Sequence, residues 1–112
     1  MDIQFTEVGG VKKVVLAGRL DTAGVDLVEA KFQAGVVAGG RNTMVDLTQL
    51  EFMGSLGVRM FISAARSMTV SGAHLVLFGA REPVLEVIEL TGLQEIIPHL
   101  ASEAEALERV SA

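Results

Sequence analysis

The stretch Val45-Asp46-Leu47-Thr48-Gln49-Leu50-Glu51-Phe52-Met53-Gly54-Ser55-Leu56-Gly57 decides how this chain folds. Its first residues belong to an apolar run over 43–47, which is typical of a strand buried on both faces of a sheet. A loop over 48–54 follows, and apolar residues then recur at helical spacing from Ser55 to about Val70. A buried strand that leads directly into a helix predicts an α/β sheet with helical crossovers.

On the N-terminal side, two segments rich in alternating or β-branched apolar residues, 3–5 and 11–17, are separated by a pair of glycines. So short a link predicts an antiparallel hairpin. A helix over about 22–38 follows, with Asp21 or Thr22 as its N-cap.

On the C-terminal side, the apolar run over 73–78 predicts another buried strand, and a helix over 83–91 follows it. A short edge strand is expected at 96–97, and the capping box over 102–105 opens a last helix. The whole chain, residues 1–112, is therefore expected to form a single α/β domain. Its mixed β-sheet combines the N-terminal hairpin with right-handed βαβ units and about four helices.

The composition excludes several classes of function. The chain has 9 Lys+Arg, 14 Asp+Glu, 2 His and no Cys, which gives a net charge of −5. We therefore expect no disulfide, no metal site and no cysteine nucleophile. The acidic balance argues against direct nucleic-acid binding, which needs a dense basic surface. No glycine-rich phosphate cradle is present, so no cofactor is expected.

Charged residues interrupt every apolar stretch before it reaches the length of a membrane span, so no membrane insertion is expected. The first residues lack the basic region of a signal peptide. We therefore expect a cytoplasmic protein.

The helix after Ser55 carries two apolar side chains outside its expected core face. Rotation by about 100° per residue puts Leu56 and Met60 among the polar outer residues, beside Ser55. This placement predicts a docking surface at the start of the helix. The face expected to be buried comprises Gly57, Val58, Phe61, Ile62, Ala65 and Met68.

Ser55 itself allows two interpretations. Serine is a preferred N-cap, which satisfies a free backbone N–H of the first turn. A hydroxyl in this place could also accept a phosphate, because the positive end of a helix tolerates the added charge. Both interpretations stay open on spacing alone.

The whole chain resembles the STAS domain of bacterial anti-sigma factor antagonists. Gly18-Arg19-Leu20-Asp21 is similar to the family's Gly-x-Leu-Asp motif, and 52–57 is similar to its Asp-Ser-Ser-Gly-type helix start. The resemblance implies that Ser55 is the phosphorylated serine and Gly57 the glycine that follows it. It also implies that Asp21 lies near Ser55 on the surface that binds the partner. Partner contacts are thus expected at Asp21, Gly54, Leu56, Gly57 and Met60.

Two positions depart from the family pattern. Gly54 stands where the family often has Asp, and Leu56 stands where it has Ser or Ala. By the resemblance, the first departure removes a carboxylate from the loop that faces the kinase. These departures favour the alternative of a constitutive STAS-type scaffold or transporter-associated subunit without a phosphoswitch.

The resemblance implies a regulatory protein without enzymatic activity that acts by partner switching. Its partners would be a serine-kinase anti-sigma factor and a serine phosphatase that acts on the phosphorylated form. A small hydrolase with a Ser55–His74–Asp46 triad is conceivable from the residues alone. However, His74 is expected inside a buried strand, and Gly-Ser-Leu-Gly is not a nucleophile elbow.

Overall fold

The computed structural model describes residues 1–111, which form five strands and four α-helices. The strands are β1 (Asp2–Val8), β2 (Val11–Leu20), β3 (Thr43–Met53), β4 (Leu75–Phe78) and β5 (His99–Leu100). The helices are α1 (Thr22–Val37), α2 (Ser55–Val70), α3 (Glu82–Thr91) and α4 (Glu103–Ser111). Two short 3₁₀ turns, Ala38–Gly40 and Leu93–Glu95, complete the chain.

All five strands belong to one sheet in the order β1-β2-β3-β4-β5. The strands β1 and β2 pair antiparallel, and every later pair is parallel. The predicted α/β class, the N-terminal hairpin and the mixed sheet are thereby confirmed. None of the helices described over residues 1–111 has the length and apolar character that crossing a bilayer requires.

The helices cover the two faces of the sheet unequally. A large apolar cluster joins α1, α2 and α3 to one face, where Val45 of β3 is fully buried. A smaller cluster joins Ala106 and Val110 of α4 to the other face, where Met44 lies. Neighbouring residues of a strand point to opposite faces, so β3 contributes to both layers.

Strand β3 is longer than predicted, since the apolar run indicated a strand over 43–47 only. Residues 48–53, expected as a loop, continue β3 and pair with the end of β2. Two register shifts, between Val15 and Ala17 and between Gly18 and Arg19, interrupt this pairing. The irregularity breaks the alternation of buried and exposed residues, which is why the pattern did not identify a strand.

Two further predictions near the sheet were wrong. The last strand lies at His99–Leu100 rather than at 96–97, because the backbone around Pro98 provides the pairing: Leu77 N–H donates to Pro98 O at 2.9 Å. His74 precedes β4 and is exposed, instead of lying inside a buried strand.

Candidate functional site

The parallel pairing of β2 and β3 brings two helix starts to the same edge of the sheet. Strand β2 ends at Leu20 and β3 at Met53, which are paired, and each is followed after one residue by a helix. The Gly54 N–H donates to Leu20 O at 3.0 Å and ties the two connections together. Asp21 and Ser55, which are 34 positions apart in the sequence, therefore belong to one surface.

Asp21 is the N-cap of α1, as one of the two predicted alternatives stated. Its Oδ1 accepts a hydrogen bond from Gly24 N–H at 2.8 Å. Its Oδ2 lies 3.6 Å from Nε of Arg19. The hydrogen bond from Gly24, and next to it the Arg19 guanidinium, hold the pKa of Asp21 below its usual range, so the carboxylate is ionised at neutral pH.

Ser55 is the first residue of α2, and the predicted N-cap role belongs instead to Gly54. Gly54 has extended backbone angles, φ −98° and ψ −174°, and its carbonyl accepts from the N–H groups of Gly57 and Val58. No side chain caps the start of this helix. Since Ser55 is exposed, its hydroxyl is accessible to a partner and is not used in a cap.

Leu56 and Met60 have different environments, although the rotation placed both on the outer side. Leu56 is 36% exposed, as expected, whereas Met60 is only 1% exposed. The prediction for Met60 was wrong because α1 packs along this side of α2: Gln33 Nε2 donates to Met60 O at 3.2 Å. Met60 therefore belongs to the core and cannot touch a partner through its side chain.

The core face of α2 is correspondingly shifted towards α1. Phe61 meets Phe32 of α1 edge to face, with ring centroids 5.4 Å apart. Ala64 is fully buried, while Ile62 and Ala65, which were expected in the core, are only half-buried.

Gly57 is buried and has a packing role. A Cβ at this position would lie 2.9 Å from Cγ of Met53 and 3.3 Å from Cβ of Leu20. The absence of a side chain therefore lets α2 approach the strand ends closely and fixes the position of Ser55 above them. Gly57 was expected to contact the partner, but it is buried and has no side chain with which to do so.

A shallow pocket of about 240 Å³ lies between the two helix starts. Its lining comprises Leu20, Asp21, Thr22, Phe52, Gly54, Ser55 and Leu56. The predicted residues Asp21, Gly54, Ser55 and Leu56 thus meet at one place, and only Gly57 and Met60 lie beneath it.

Two residues of this surface were missed by the sequence reasoning. Phe52 lines the pocket and is half-buried, and the guanidinium of Arg19 lies over its ring, 4.5 Å from the centroid. Arg19 occupies the variable position of the Gly-x-Leu-Asp motif, so the motif did not identify it as a site residue. Only the strand register, in which Arg19 and Phe52 are partners, brings the cation to this surface.

The conceivable catalytic triad does not assemble. Ser55 follows the carboxyl end of β3, whereas His74 precedes the amino end of the parallel strand β4. Asp46 is 8% exposed and lies within β3, where its Oδ1 accepts from Thr48 Oγ1 at 2.6 Å. Its Oδ2 lies 3.8 Å from Lys13 Nζ. The three side chains therefore lie apart and do not form this triad.

The sequence is similar to known proteins over most of its length. The profile of the STAS domain family matches residues 2–106. The anti-sigma-B factor antagonist of Listeria monocytogenes is 31% identical over 84 residues, covering 75% of this chain and 74% of that protein.

Solved structures share the fold. The anti-sigma-factor antagonist (STAS) domain protein of Planctomyces limnophilus superimposes with a TM-score of 0.88 at 21% identity and covers 100% of both chains. The unphosphorylated anti-sigma factor antagonist SpoIIAA gives a TM-score of 0.80 at 25% identity over 98% of this chain and 96% of its own. The phosphorylated form of SpoIIAA, from Bacillus, gives 0.70 at 24% identity over 97% and 99%.

Proposed function

We propose that this chain, which belongs to the STAS domain family, is an anti-sigma factor antagonist that acts by partner switching. Unphosphorylated, it binds a serine-kinase anti-sigma factor through the surface formed by Asp21, Gly54, Ser55 and Leu56, and so releases a sigma factor. The observation that carries the proposal is the exposed Ser55 at a helix start without a side-chain cap, in the same pocket as the ionised carboxylate of Asp21. The chain acts in the cytoplasm and catalyses no reaction itself.

The switch is a phosphoryl transfer that the partner catalyses. The Ser55 Oγ attacks the γ-phosphorus of ATP, an O–P bond forms, and the bond from the γ-phosphorus to the bridging oxygen breaks. ADP leaves, and the hydroxyl proton passes to a base of the kinase. A serine phosphatase reverses the modification by hydrolysis, with any metal it requires belonging to the phosphatase.

The fold of this chain suits a modification that changes binding without unfolding the domain. The backbone N–H groups in the first turn of α2 and the positive end of its helix dipole favour an anionic group on Ser55. The phosphate adds about two negative charges at neutral pH. These charges stand next to Asp21 and would be desolvated in an interface, so repulsion and desolvation both oppose the complex. Since about 1.4 kcal/mol is tenfold in affinity, a few kcal/mol complete the switch.

The relatives support this proposal without testing it. The Listeria relative is an anti-sigma-B factor antagonist, and SpoIIAA has been solved in both unphosphorylated and phosphorylated forms. A protein of this kind needs an accessible hydroxyl and a binding surface, both of which this chain offers at Ser55.

The direct test is to incubate the protein with a candidate kinase-type anti-sigma factor and Mg-ATP, and to locate the phosphate by mass spectrometry. We expect one phosphate on Ser55, none in the Ser55→Ala variant, and loss of the complex after modification. Ser63→Ala, which removes an exposed hydroxyl two turns further along α2, should be modified like the parent. Phosphate at another residue, or a complex that survives modification of Ser55, would refute the switch.

One observation favours a second candidate, a constitutive STAS-type scaffold or transporter-associated subunit. Gly54 puts no carboxylate before Ser55, where the family pattern often has one. In that case Ser55→Asp should leave partner binding unchanged, because the surface would never carry a phosphate. The proposed switch instead requires Ser55→Asp to weaken binding at least about tenfold, measured by isothermal titration calorimetry.

A further inference from the structure

The side chain of Arg19 is held in place at the edge of the Ser55 surface. Its guanidinium lies 4.5 Å from the centroid of the Phe52 ring, within the range of a cation–π contact. Its Nε lies 3.6 Å from Oδ2 of Asp21. The side chain nevertheless remains 58% exposed, so the cation is positioned but accessible.

Ser55 lies beside these contacts. Asp21 and Phe52, which Arg19 touches, line the same pocket as Ser55. The bond from Gly54 N–H to Leu20 O fastens the residue before Ser55 to the residue after Arg19. The guanidinium of Arg19, which is already in position, would therefore attract a phosphate on the Ser55 hydroxyl.

We propose that Arg19 is the intramolecular counter-ion of phosphorylated Ser55: its guanidinium leaves Asp21 and pairs with the phosphate while it stays over Phe52. The inference rests on the proposed phosphorylation of Ser55 and describes how the modified surface is arranged. Arg19 is a positioning residue, since it acts on the phosphate after transfer and takes no part in the transfer itself.

The present pair of Arg19 with Asp21 is weak enough to be exchanged. Its 3.6 Å separation exceeds the roughly 2.7–2.9 Å of a strong charge-assisted hydrogen bond. A phosphate offers about two charges and three acceptor oxygens, and a guanidinium can bind it through two N–H groups. The exchange does not disturb the start of α1, because Asp21 caps that helix through its other oxygen, Oδ1.

The exchange would redistribute the charges of the binding surface and fix the position of the phosphate. Before modification, Arg19 partly balances the charge of Asp21 at the binding surface. After modification, Arg19 offsets part of the charge of the phosphate and Asp21 loses its cation, so the surface changes from one balanced pair to a net charge of about −2. The phosphate is also held in one place and cannot turn away from the interface.

Arg59 is the rival for this role. It is exposed and lies four positions after Ser55, on the same side of α2, where helical geometry permits a pair between the two side chains. Among residues 1–111, Arg59 makes no cation–π contact or ion pair comparable to those of Arg19. The experiment must therefore compare the two arginines directly.

Phosphoserine can be incorporated at position 55 by an expanded genetic code, so that no kinase is needed, and its second ionisation can be followed by ³¹P NMR. We expect Arg19→Gln to raise the pKa of the phosphate by about half a unit or more above that of the parent, because a nearby cation favours the dianion. Arg19→Lys should recover at least half of this difference. Arg66→Gln, which removes an exposed cation about three turns further along α2, should titrate like the parent.

Identical titration of the parent and Arg19→Gln would overturn the inference, as would a shift seen only in Arg59→Gln. An Arg19→Lys variant that recovers nothing would also overturn it, since Arg19 would then act by packing on Phe52 rather than by charge. Because the phosphate is installed without a kinase, these outcomes are independent of whether a kinase modifies Ser55. A failed kinase assay beside a positive titration would reject the proposed function alone.

Discussion

The first turns of α1 and α2 are built on the same plan and differ in one respect that bears on function. Asp21-Thr22-Ala23-Gly24-Val25 and Gly54-Ser55-Leu56-Gly57-Val58 each comprise an N-cap, an exposed hydroxyl residue, a glycine at the third helical position and a buried valine. Both helices have 16 residues, and both N-caps have extended backbone angles. Of the two starts, only that of α1 has a side-chain cap.

The presence of a side-chain cap makes the start of α1 locally more stable than the start of α2. The carboxylate of Asp21 satisfies a backbone donor of α1 and places a negative charge at its positive end. The start of α2 lacks both contributions, at a cost of only a few tenths of a kcal/mol because its N-cap is glycine. No anionic side chain caps the start of α2, so a phosphate on Ser55 can interact with the backbone donors there. At the start of α1, beside Thr22, the carboxylate of Asp21 already occupies this position.

The two glycines give the largest expected effects. A Cβ at Gly24 would lie 2.0 Å from the carbonyl oxygen of Arg19, which is backbone and cannot move alone. We expect Gly24→Ala to destabilise the protein by about 3 kcal/mol, at the upper end for overpacking. The free energy of unfolding from urea titrations measures this effect.

Gly57→Ala is the matched variant in α2. Its Cβ would approach the flexible side chain of Met53 at 2.9 Å, so adjustment should limit the loss to about 1 kcal/mol. Equal losses for the two variants, or a larger loss for Gly57→Ala, would mean that the backbone carbonyl of Arg19 yields to the added Cβ as readily as the side chain of Met53 does.

The plan of these two helix starts was only partly predictable from the sequence. The helix at 55–70 followed from apolar spacing, and the Gly-x-Leu-Asp motif pointed to Asp21. Residue preference assigned the N-cap to Ser55, because serine caps helices more often than glycine does. The actual cap depends on where the backbone leaves β3, which the register shifts against β2 determine.

The errors within the site have a similar origin. A helical projection gives the direction of a side chain, but it does not show which neighbour covers it. Met60 was therefore expected at the surface that α1 in fact covers. Arg19 became recognisable only through its strand partner Phe52. Local patterns thus identified the elements and the motif, whereas contacts between elements decided which residues form the surface.

Asp21→Ala tests the capped start and is expected to lower the melting temperature by roughly 3–5 °C at pH 7. The effect should depend on pH. Because the hydrogen bond from Gly24 and the Arg19 guanidinium lower the pKa of Asp21 in the folded state, the unfolded chain binds the proton more readily. The stabilisation is therefore complete above the unfolded value, near about pH 4, and is lost as the pH falls through the folded value.

Melting curves of the parent and Asp21→Ala should accordingly converge below about pH 4. Asp21→Asn is the matched control, since asparagine caps a helix without a charge and should show little of this pH dependence. A gap between Asp21→Ala and the parent that stays constant down to acid pH would mean that the ionised carboxylate is not what stabilises α1.

Gly54→Asp makes the start of α2 like that of α1 and is expected to give the smallest effect. The extended backbone of Gly54 accepts any residue, and a Cβ there would lie 3.5 Å from the Phe52 ring, an ordinary contact. Replacing glycine by aspartate at an N-cap should stabilise the unmodified protein by only a few tenths of a kcal/mol.

The same carboxylate would take up a backbone donor and repel a phosphate on Ser55, so phosphoserine at position 55 should lower the stability of Gly54→Asp more than that of the parent. Gly54→Asn takes up the same backbone donor without adding a charge, so it separates the two causes. If phosphoserine lowers its stability as much as that of Gly54→Asp, the occupied donor is the cause. If its stability changes like that of the parent, charge repulsion is the cause. An equal response of all three proteins in thermal unfolding would show that the missing cap has no part in accommodating the phosphate.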